Sequence, residues 1–173
     1  ILARVKEDFP NVRLVMLGGG PERSAAKYRA ESLGFAHDVL FVGKKSNIAE
    51  YLGVSDIFLL PSELESFGLA ALEAHGCELP VIATRIGGIS EVVNDGESGF
   101  LSDVGDVERM AVRSGDAGDE VHDEKREQRP QVPVRHAAVL AEHDVLQRAH
   151  LLGGGDGQRW HRHPQALAVH DRV

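Results

Sequence analysis

The sequence is poor in cysteine and in aromatic residues, and it lacks a long apolar run. Its single cysteine, Cys77, excludes a disulfide framework and makes a reducing cytoplasm the expected location. No apolar stretch approaches the roughly 18 residues that a membrane-spanning helix needs, so we expect no integral membrane segment. The first residues, from Ile1 onward, also lack the basic and then apolar pattern of a signal peptide.

Basic residues are scarce relative to acidic ones. The chain carries 19 lysines and arginines against 27 aspartates and glutamates, which gives a formal net charge of −8. This charge argues against nucleic acid or an anionic membrane as a bulk partner. The 173 residues are enough for one domain with a proper core. Because the chain lacks an initiator methionine and opens inside a helical pattern, we expect a fragment of a longer protein.

What the sequence does contain is a regular alternation of helical and apolar stretches over residues 1–101. Helices are predicted at 1–8, 21–33, 48–54, 67–75 and 91–93, and strands at 11–17, 39–42, 56–60, 80–83 and 100–101. Strands that alternate with helices at this spacing are typical of βαβ units. We therefore predict an α/β fold over residues 1–112, a Rossmann-like parallel sheet with helices on both faces.

Residues 113–173 break this alternation. Residues 116–131 are almost wholly polar, and Gly153–Gly157 is a glycine-rich run. The segment buries too little apolar surface to offset the entropy of ordering, so we expect an atypical, poorly ordered tail. Residues 136–152 could form a helix, with Val139, Leu146 and Leu152 on roughly one side. The composition resembles an out-of-frame translation, which indicates a frameshift or a chimeric end.

Three consecutive glycines, Gly18–Gly20, end the first predicted strand and precede a helix. Ligands of parallel sheets bind beyond the carboxyl ends of the strands, and glycines let a phosphate approach the backbone closely. The loop fails the dinucleotide-binding fingerprint, because the third glycine of that motif would fall at Arg23. A phosphate cradle and a plain tight turn are therefore both open interpretations.

Two glutamates, Glu65 and Glu73, flank the start of the helix that follows strand 56–60. A helix N-terminus offers free backbone N–H groups and a positive dipole end, which together favour an anion. Glu73 lies beside an apolar stripe that includes Leu69 and Leu72, where a carboxylate needs a partner such as a ribose diol. Glu73 could instead be a surface residue at the edge of that stripe. Glu65 could be a loop charge, or the last residue of a capping box that begins at Ser62.

The run from Glu65 to Glu73 resembles the paired-glutamate motif of family 4 retaining glycosyltransferases, which have the GT-B fold. Further segments resemble that family in order and spacing and extend the match to about residues 10–110. They are Gly18–Glu22, Phe41–Gly43, Ser55–Asp56, Pro80–Thr84, Gly87–Val93 and Asp95–Leu101. The chain is identified as the C-terminal, nucleotide-sugar-binding half of such an enzyme.

The resemblance implies roles for individual residues. Glu65 would lie by the donor sugar as the catalytic residue, and Glu73 would bind the ribose hydroxyls of the nucleotide. The implied donor- and nucleotide-binding residues are Gly19, Gly20, Lys44, Ser66, Phe67, Gly68, Leu69 and Glu73. The family needs no metal and no cofactor, because the UDP-sugar is a substrate and the helix dipole stabilises the departing diphosphate.

Within the family, three segments most resemble enzymes that transfer N-acetylglucosamine from UDP-N-acetylglucosamine to L-malate in bacillithiol biosynthesis. They are Glu65–Leu69, Cys77–Pro80 and Val104–Asp106. The implied partners are a nucleotide-sugar donor and a small-molecule acceptor, and a homo-oligomer stays open. One alternative is a family 4 transferase with another donor or acceptor. The other is a nucleotide-binding or inert fragment, and we expect the fragment to be inactive by itself.

The sequence departs from the family pattern at a few positions. Gly19 stands where relatives usually carry aspartate, and Ser90 stands where many carry proline, although Ser90 could cap its helix. His75–Gly76 replaces the Met-Ala type pair that is usual near the end of this helix, which predicts that the helix ends early. The irregular spacing of the histidines in the tail argues against a metal site. Cys77 has no adjacent base that would make it a nucleophile.

Overall fold

A computed structural model of the chain describes residues 1–125 and 136–140, with side chains up to Ala117. Helices and strands alternate along the first of these ranges. In chain order the elements are α1 (Leu2–Asp8), β1 (Arg13–Leu17), α2 (Arg23–Ser32), β2 (Val39–Gly43), α3 (Ile48–Gly53), β3 (Ile57–Leu60), α4 (Leu69–Gly76), β4 (Val81–Thr84), α5 (Ile89–Val92), β5 (Gly99–Ser102), α6 (Val107–Lys125) and β6 (His136–Leu140).

The strands form one sheet in the order β2-β1-β6-β3-β4-β5, and every neighbouring pair is parallel. The helices and strands predicted for residues 1–101 are confirmed, with ends that differ by at most two residues. The predicted Rossmann-like α/β fold is likewise confirmed. Parallel strands need crossover helices, which explains why every strand of residues 1–101 is followed by one.

The core lies on both faces of the sheet, because the central strands alternate their side chains between two helical layers. Phe58 and Leu60 of β3 pack with buried residues of α3, α4 and α5 on one face. Ile57 and Leu59 face the other way and pack with Met110 and other residues of α6. All four residues of β3 are buried, which is why its sequence is a continuous apolar run.

Helix α4 packs on the sheet through three alanines. Ala70, Ala71 and Ala74 are fully buried, whereas Leu72 is 41% exposed. Of the two leucines in the expected apolar stripe, Leu69 packs against the core, whereas Leu72 lies on the exposed side of the helix. Small side chains let the helix approach β3 and β4 closely, and this close approach selects the alanine face over the leucine face.

Helix α6 continues past the predicted domain boundary at residue 112. Its buried residues Met110, Ala111, Ser114 and Ala117 recur at helical spacing and cover one face of the sheet. α6 therefore extends over residues 113–125, where the sequence predicts that the alternation breaks off. No helix in the described ranges is long and apolar enough to cross a membrane.

The helix expected over residues 136–152 is wrong where it can be compared. Residues His136–Leu140 form β6, which pairs with β1 on one side and with β3 on the other. Between β1 and β3 the backbone N–H and C=O groups of residues 136–140 find hydrogen-bond partners on both sides. Local sequence does not reveal these partners, because they are distant along the chain. Residues 141–152, like 126–135 and the remainder of the expected tail, lie outside the described residues. A separate unit over residues 113–173 stays a prediction.

Candidate functional site

The candidate site lies at the carboxyl ends of β1, β2 and β3. From β1 the chain moves outward to β2, and from β3 it moves in the opposite direction to β4. Open α/β sheets bind their ligands where the connections diverge in this way. β6 lies between β1 and β3, so the loops after these two strands are two strand spacings apart, about 10 Å.

The first loop brings Gly19 together with Lys44. The N–H of Gly18 donates to the carbonyl of Gly43 at 2.9 Å, which joins the ends of β1 and β2. A Cβ on Gly19 would lie 3.5 Å from Cγ and 3.6 Å from Cε of Lys44. The aliphatic part of Lys44 therefore lies along the glycine loop.

Arg23 is a neighbour of this loop that the sequence interpretation did not include. Its guanidinium donates to the carbonyl of Phe41 at 3.2 Å, and it lies 3.7 Å from the Cβ position of Gly43. Together with Lys44 it places a second cation beside the glycine loop. In the sequence Arg23 is notable only because it occupies the position of the third glycine of the dinucleotide-binding motif. Its proximity to Gly43 is not visible there.

The second loop gathers three backbone N–H groups on one carboxylate oxygen. Oε1 of Glu65 accepts hydrogen bonds from Ser66 at 3.0 Å, Phe67 at 3.4 Å and Gly68 at 3.2 Å. Gly68 has a φ of +87°, a left-handed conformation that turns the chain into α4. In this structure the three N–H groups before α4 share the carboxylate of Glu65 as their acceptor, and binding of a ligand anion there stays a prediction.

The alternative of a capping box between Ser62 and Glu65 does not describe this loop. Ser62 is buried, and its carbonyl accepts a hydrogen bond from the hydroxyl of Thr84 at 2.5 Å. α4 begins at Leu69 with no side-chain cap from its N-cap residue, Gly68. Glu65 bonds forward to the three amides, a pattern that is distinct from the reciprocal capping box.

Glu73 lies in the second turn of α4, one turn beyond Leu69. Both residues are half-buried, and Leu69 packs against the core cluster that contains the alanines of α4. Glu73 is therefore neither a core residue nor a fully exposed one. Glu73 lies on the helix that follows residues 66–68, which we call the amide loop, and is four residues after Leu69. α4 ends at Gly76, and Nε2–H of His75 donates to the carbonyl of Ser98 at 3.0 Å.

A turn that the site prediction omitted lies directly against the amide loop. Gly87 and Gly88 follow β4, and the N–H of Gly88 donates to the carbonyl of Ser66 at 3.2 Å. A Cβ on Gly87 would lie 1.7 Å from the carbonyl oxygen of Glu65. The glycine pair was visible in the sequence, but its contact with residues 65–67 depends on the pairing of β3 with β4. Ser90 lies inside α5, whose N-cap is Gly88, so it does not cap that helix.

The base of this turn is held by Arg85 and Asp95. Their side chains form an ion pair at 2.5 Å, and the other oxygen of Asp95 accepts the N–H of Leu101 at 2.9 Å. The N–H of Leu101 and, after it, the Arg85 guanidinium hold the pKa of the Asp95 carboxyl below its usual value. The pair thus joins the end of β4 to the loop before β5.

Metal binding finds no support in the part of the chain that the structure describes. That part contains no group of three or more histidine, cysteine, aspartate or glutamate side chains able to hold a metal ion. Cys77 is a half-buried free thiol at the end of α4. The histidines of residues 141–173 lie outside the described residues.

Comparison with known sequences identifies the family. Residues 1–128 match the family described as glycosyl transferases group 1. The chain is 46% identical over 101 residues to N-acetyl-alpha-D-glucosaminyl L-malate synthase of Bacillus anthracis, which covers 58% of this chain and 26% of that protein. It is 41% identical over 108 residues to D-inositol 3-phosphate glycosyltransferase of Acidothermus cellulolyticus, covering 57% and 24%. The chain therefore spans about a quarter of the length of these curated relatives.

Comparison with solved structures identifies the same fold. A TarM variant of S. aureus, solved in complex with fondaparinux, alpha-GlcNAc-glycerol and UDP, superimposes with a TM-score of 0.61. The match covers 72% of this chain and 28% of that one, at 19% sequence identity. The predicted resemblance to GT-B glycosyltransferases is confirmed, and the chain belongs to the glycosyl transferases group 1 family.

Proposed function

We propose that this chain binds the UDP part of a nucleotide sugar at the carboxyl edge of the sheet, between the loops after β1 and β3. The observation that carries the proposal is the convergence of the Ser66, Phe67 and Gly68 amides on one carboxylate oxygen. N–H groups aimed at one oxygen at a helix start suit a diphosphate oxygen as well as a carboxylate. Family membership and the divergence of the sheet connections support the same class of ligand.

Binding of the diphosphate requires Glu65 to leave the amides. Its carboxylate and a phosphate oxygen carry charge of the same sign and would compete for the same three N–H groups. Once turned away, the side chain of Glu65 lies beside the position of the donor sugar and can accept hydrogen bonds from its hydroxyls. The freed amides then stabilise negative charge that builds up on the departing diphosphate.

The other site residues divide the nucleotide among them. Glu73, half-buried on α4, binds the ribose diol, whose two hydroxyls supply donors for a carboxylate. Leu69 lies between the amide loop and Glu73. The backbone of Gly19 and Gly20 lines the side of the ligand toward β1, and Lys44 borders the base. The contact between Gly19 and Lys44 supports one continuous nucleotide site.

The reaction of the whole protein would be transfer of N-acetylglucosamine from UDP to L-malate with retention at the anomeric carbon. The bond between that carbon and the diphosphate oxygen breaks, and a bond to the malate hydroxyl oxygen forms. The hydroxyl proton passes to the departing diphosphate. The 46% identity to an N-acetyl-alpha-D-glucosaminyl L-malate synthase supports this donor and acceptor. Since the chain spans 26% of that relative, we propose that it binds UDP but gives no turnover by itself.

A second candidate is transfer from another nucleotide sugar to another acceptor. The 41% identity to a D-inositol 3-phosphate glycosyltransferase favours it almost as strongly. The two candidates share the diphosphate and ribose contacts and differ in the sugar and the acceptor. Titration with a panel of UDP- and ADP-sugars separates them, because a preference among donors reports on the base and sugar contacts.

The test of the proposed function is calorimetric titration of the full chain with UDP and with uridine. We expect UDP to bind more tightly than uridine, because only UDP reaches the amide loop. Glu73→Ala should weaken both ligands about tenfold, since the ribose is common to them. Glu78→Ala, an exposed glutamate after the same helix, is the matched control. Absence of UDP binding by the wild-type chain, or equal binding by Glu73→Ala, contradicts the proposal.

A further inference from the structure

The Gly87–Gly88 turn lies in close contact with the backbone of residues 65–67. A Cβ on Gly88 would lie 2.8 Å from the carbonyl oxygen of Ser66 and 2.9 Å from Cα of Phe67. A Cβ on Gly87 would lie 1.7 Å from the carbonyl oxygen of Glu65, and Gly87 has a φ of +53°. No other residue type fits at Gly87 without moving residues 65–67. The two glycines are therefore needed for backbone-to-backbone contact.

This contact fixes the direction of the N–H groups that the proposed ligand would use. In a trans peptide the C=O and the N–H point in opposite directions from one rigid plane. The N–H of Gly88 holds the carbonyl of Ser66 at 3.2 Å, so the N–H of Phe67 in the same plane points away from the turn. That N–H is directed at Oε1 of Glu65. The plane between Glu65 and Ser66 has its carbonyl toward Gly87 and its N–H toward the same oxygen.

The turn itself is anchored at both ends. Before it, the N–H of Arg85 donates to the carbonyl of Ser102 on β5 at 2.7 Å, and the side chain of Arg85 pairs with Asp95. After it, Ile89 is fully buried and lies 3.4 Å from the Cβ position of Gly68. A turn held at both ends can transmit the position of β5 to the amide loop.

We infer that Gly87 and Gly88 are positioning residues that aim the Ser66 and Phe67 amides at the anionic part of the nucleotide. This inference rests on the proposed function for the identity of the ligand. The turn makes no contact with the ligand and acts only through the two peptide planes. Its loss should therefore lower affinity for the diphosphate and leave affinity for the nucleoside unchanged.

The experiment compares Gly88→Ala with Gly53→Ala by titration with UDP and with uridine. Gly88 has an ordinary φ of −78°, so the substitution adds contact without left-handed strain. A Cβ on Gly53 would have no atom of the described residues within 4 Å, apart from its chain neighbours and the backbone of its own helix. We expect Gly88→Ala to weaken UDP binding about tenfold and to leave uridine binding within twofold. Gly53→Ala should bind both ligands like the wild type.

Amide resonances of Ser66, Phe67 and Gly68 in the ligand-free protein provide a second measurement. They should shift in Gly88→Ala and stay in place in Gly53→Ala. If Gly88→Ala does not fold, Asp95→Asn loosens the base of the turn without adding non-hydrogen atoms and should lower the ratio of UDP to uridine affinity. Unchanged resonances together with an unchanged ratio overturn the inference. If the wild-type chain binds no UDP, the proposed function fails, and the resonances alone decide whether the turn positions the amides.

Discussion

The hydroxyl of Thr84, at the end of β4, donates a hydrogen bond to the backbone carbonyl of Ser62 across 2.5 Å. Thr84 is 1% exposed and Ser62 is 5% exposed, so water does not replace either partner. The start of the loop that carries Glu65 is therefore fixed by the neighbouring strand. The Thr84 hydroxyl and the pairing of β3 with β4 together hold this loop.

Thr84→Val should destabilise the protein although it keeps the shape of the side chain. The substitution removes the donor of a buried carbonyl, and the free energy of unfolding should fall by about 1–3 kcal/mol. Thr84→Ser keeps the hydroxyl and is the matched control, with a smaller loss from the missing methyl group. Urea denaturation monitored by circular dichroism measures both, and equal stability of the valine and serine variants would contradict the role of this bond.

Glu65→Ala should destabilise the ligand-free chain by about 1 kcal/mol, because three N–H groups lose a shared acceptor at a helix start. Glu65→Gln keeps an acceptor oxygen without the charge and should lose less. Chemical denaturation gives both values. A Glu65→Ala variant as stable as the wild type would show that the carboxylate does not hold the amides in solution.

Ala71→Leu should destabilise the protein by about 1–3 kcal/mol, because Ala71 is fully buried where α4 lies close to the sheet. Leu72→Ala, on the exposed side of the same helix, should change stability by no more than about 0.5 kcal/mol. Thermal unfolding of the two variants tests the orientation of α4. The reverse ranking would restore the leucine face as the buried one.

Asp95 should contribute to stability at neutral pH and lose that contribution in acid. Its pKa is lowered in the folded state, chiefly by the N–H of Leu101 and then by Arg85, so folding favours the ionised carboxylate. The stabilisation is present above the unfolded pKa of about 4 and disappears as the pH falls through the lower folded value.

Comparison with Asp95→Asn measures this effect. The ion pair of Arg85 and Asp95 is partly exposed, so the free energy of unfolding of the wild type should exceed that of the variant by less than about 1 kcal/mol at pH 7. Urea denaturation at pH 7, 4 and 3 should show the difference shrinking as the pH falls. A difference that stays constant or grows in acid would contradict a lowered pKa.

Ala138→Pro should destabilise the sheet, because Ala138 is in register with Val15 of β1 and Phe58 of β3. Proline removes a backbone donor between two neighbours, and the expected cost is about 1–3 kcal/mol. Ala138→Ser keeps the N–H and serves as the control. Hydrogen exchange of the Ala138 amide gives an independent measure, since rapid exchange in the native protein would contradict the central position of β6.

Much of the fold follows from local sequence. Short apolar runs bounded by glycine and proline specify β1 to β5, and the helices between them require a parallel sheet. The candidate loops after β1 and β3 follow as well, because all carboxyl ends of parallel strands lie at one edge. The paired glutamates and the family resemblance depend only on the order of residues in the chain.

Other features required the tertiary structure. The face of α4 that is buried depends on how closely the helix approaches β3, which a periodic pattern of leucines does not reveal. The pairing of β6 with β1 and β3 joins residues more than 75 positions apart, as local propensity cannot. Arg23 and the Gly87–Gly88 turn enter the site only because neighbouring strands bring their loops together.

The amino-acid sequence by itself determined the alternation of strands and helices, the family and the segment that carries Glu65 and Glu73. Only the tertiary structure decided that Glu65 bonds to three amides and that the Gly87–Gly88 turn lies against the backbone of residues 65–67. The physical reason is the range of the interactions. Strand and helix propensities act over a few residues, whereas the direction of an N–H group is set by the backbone packed against it.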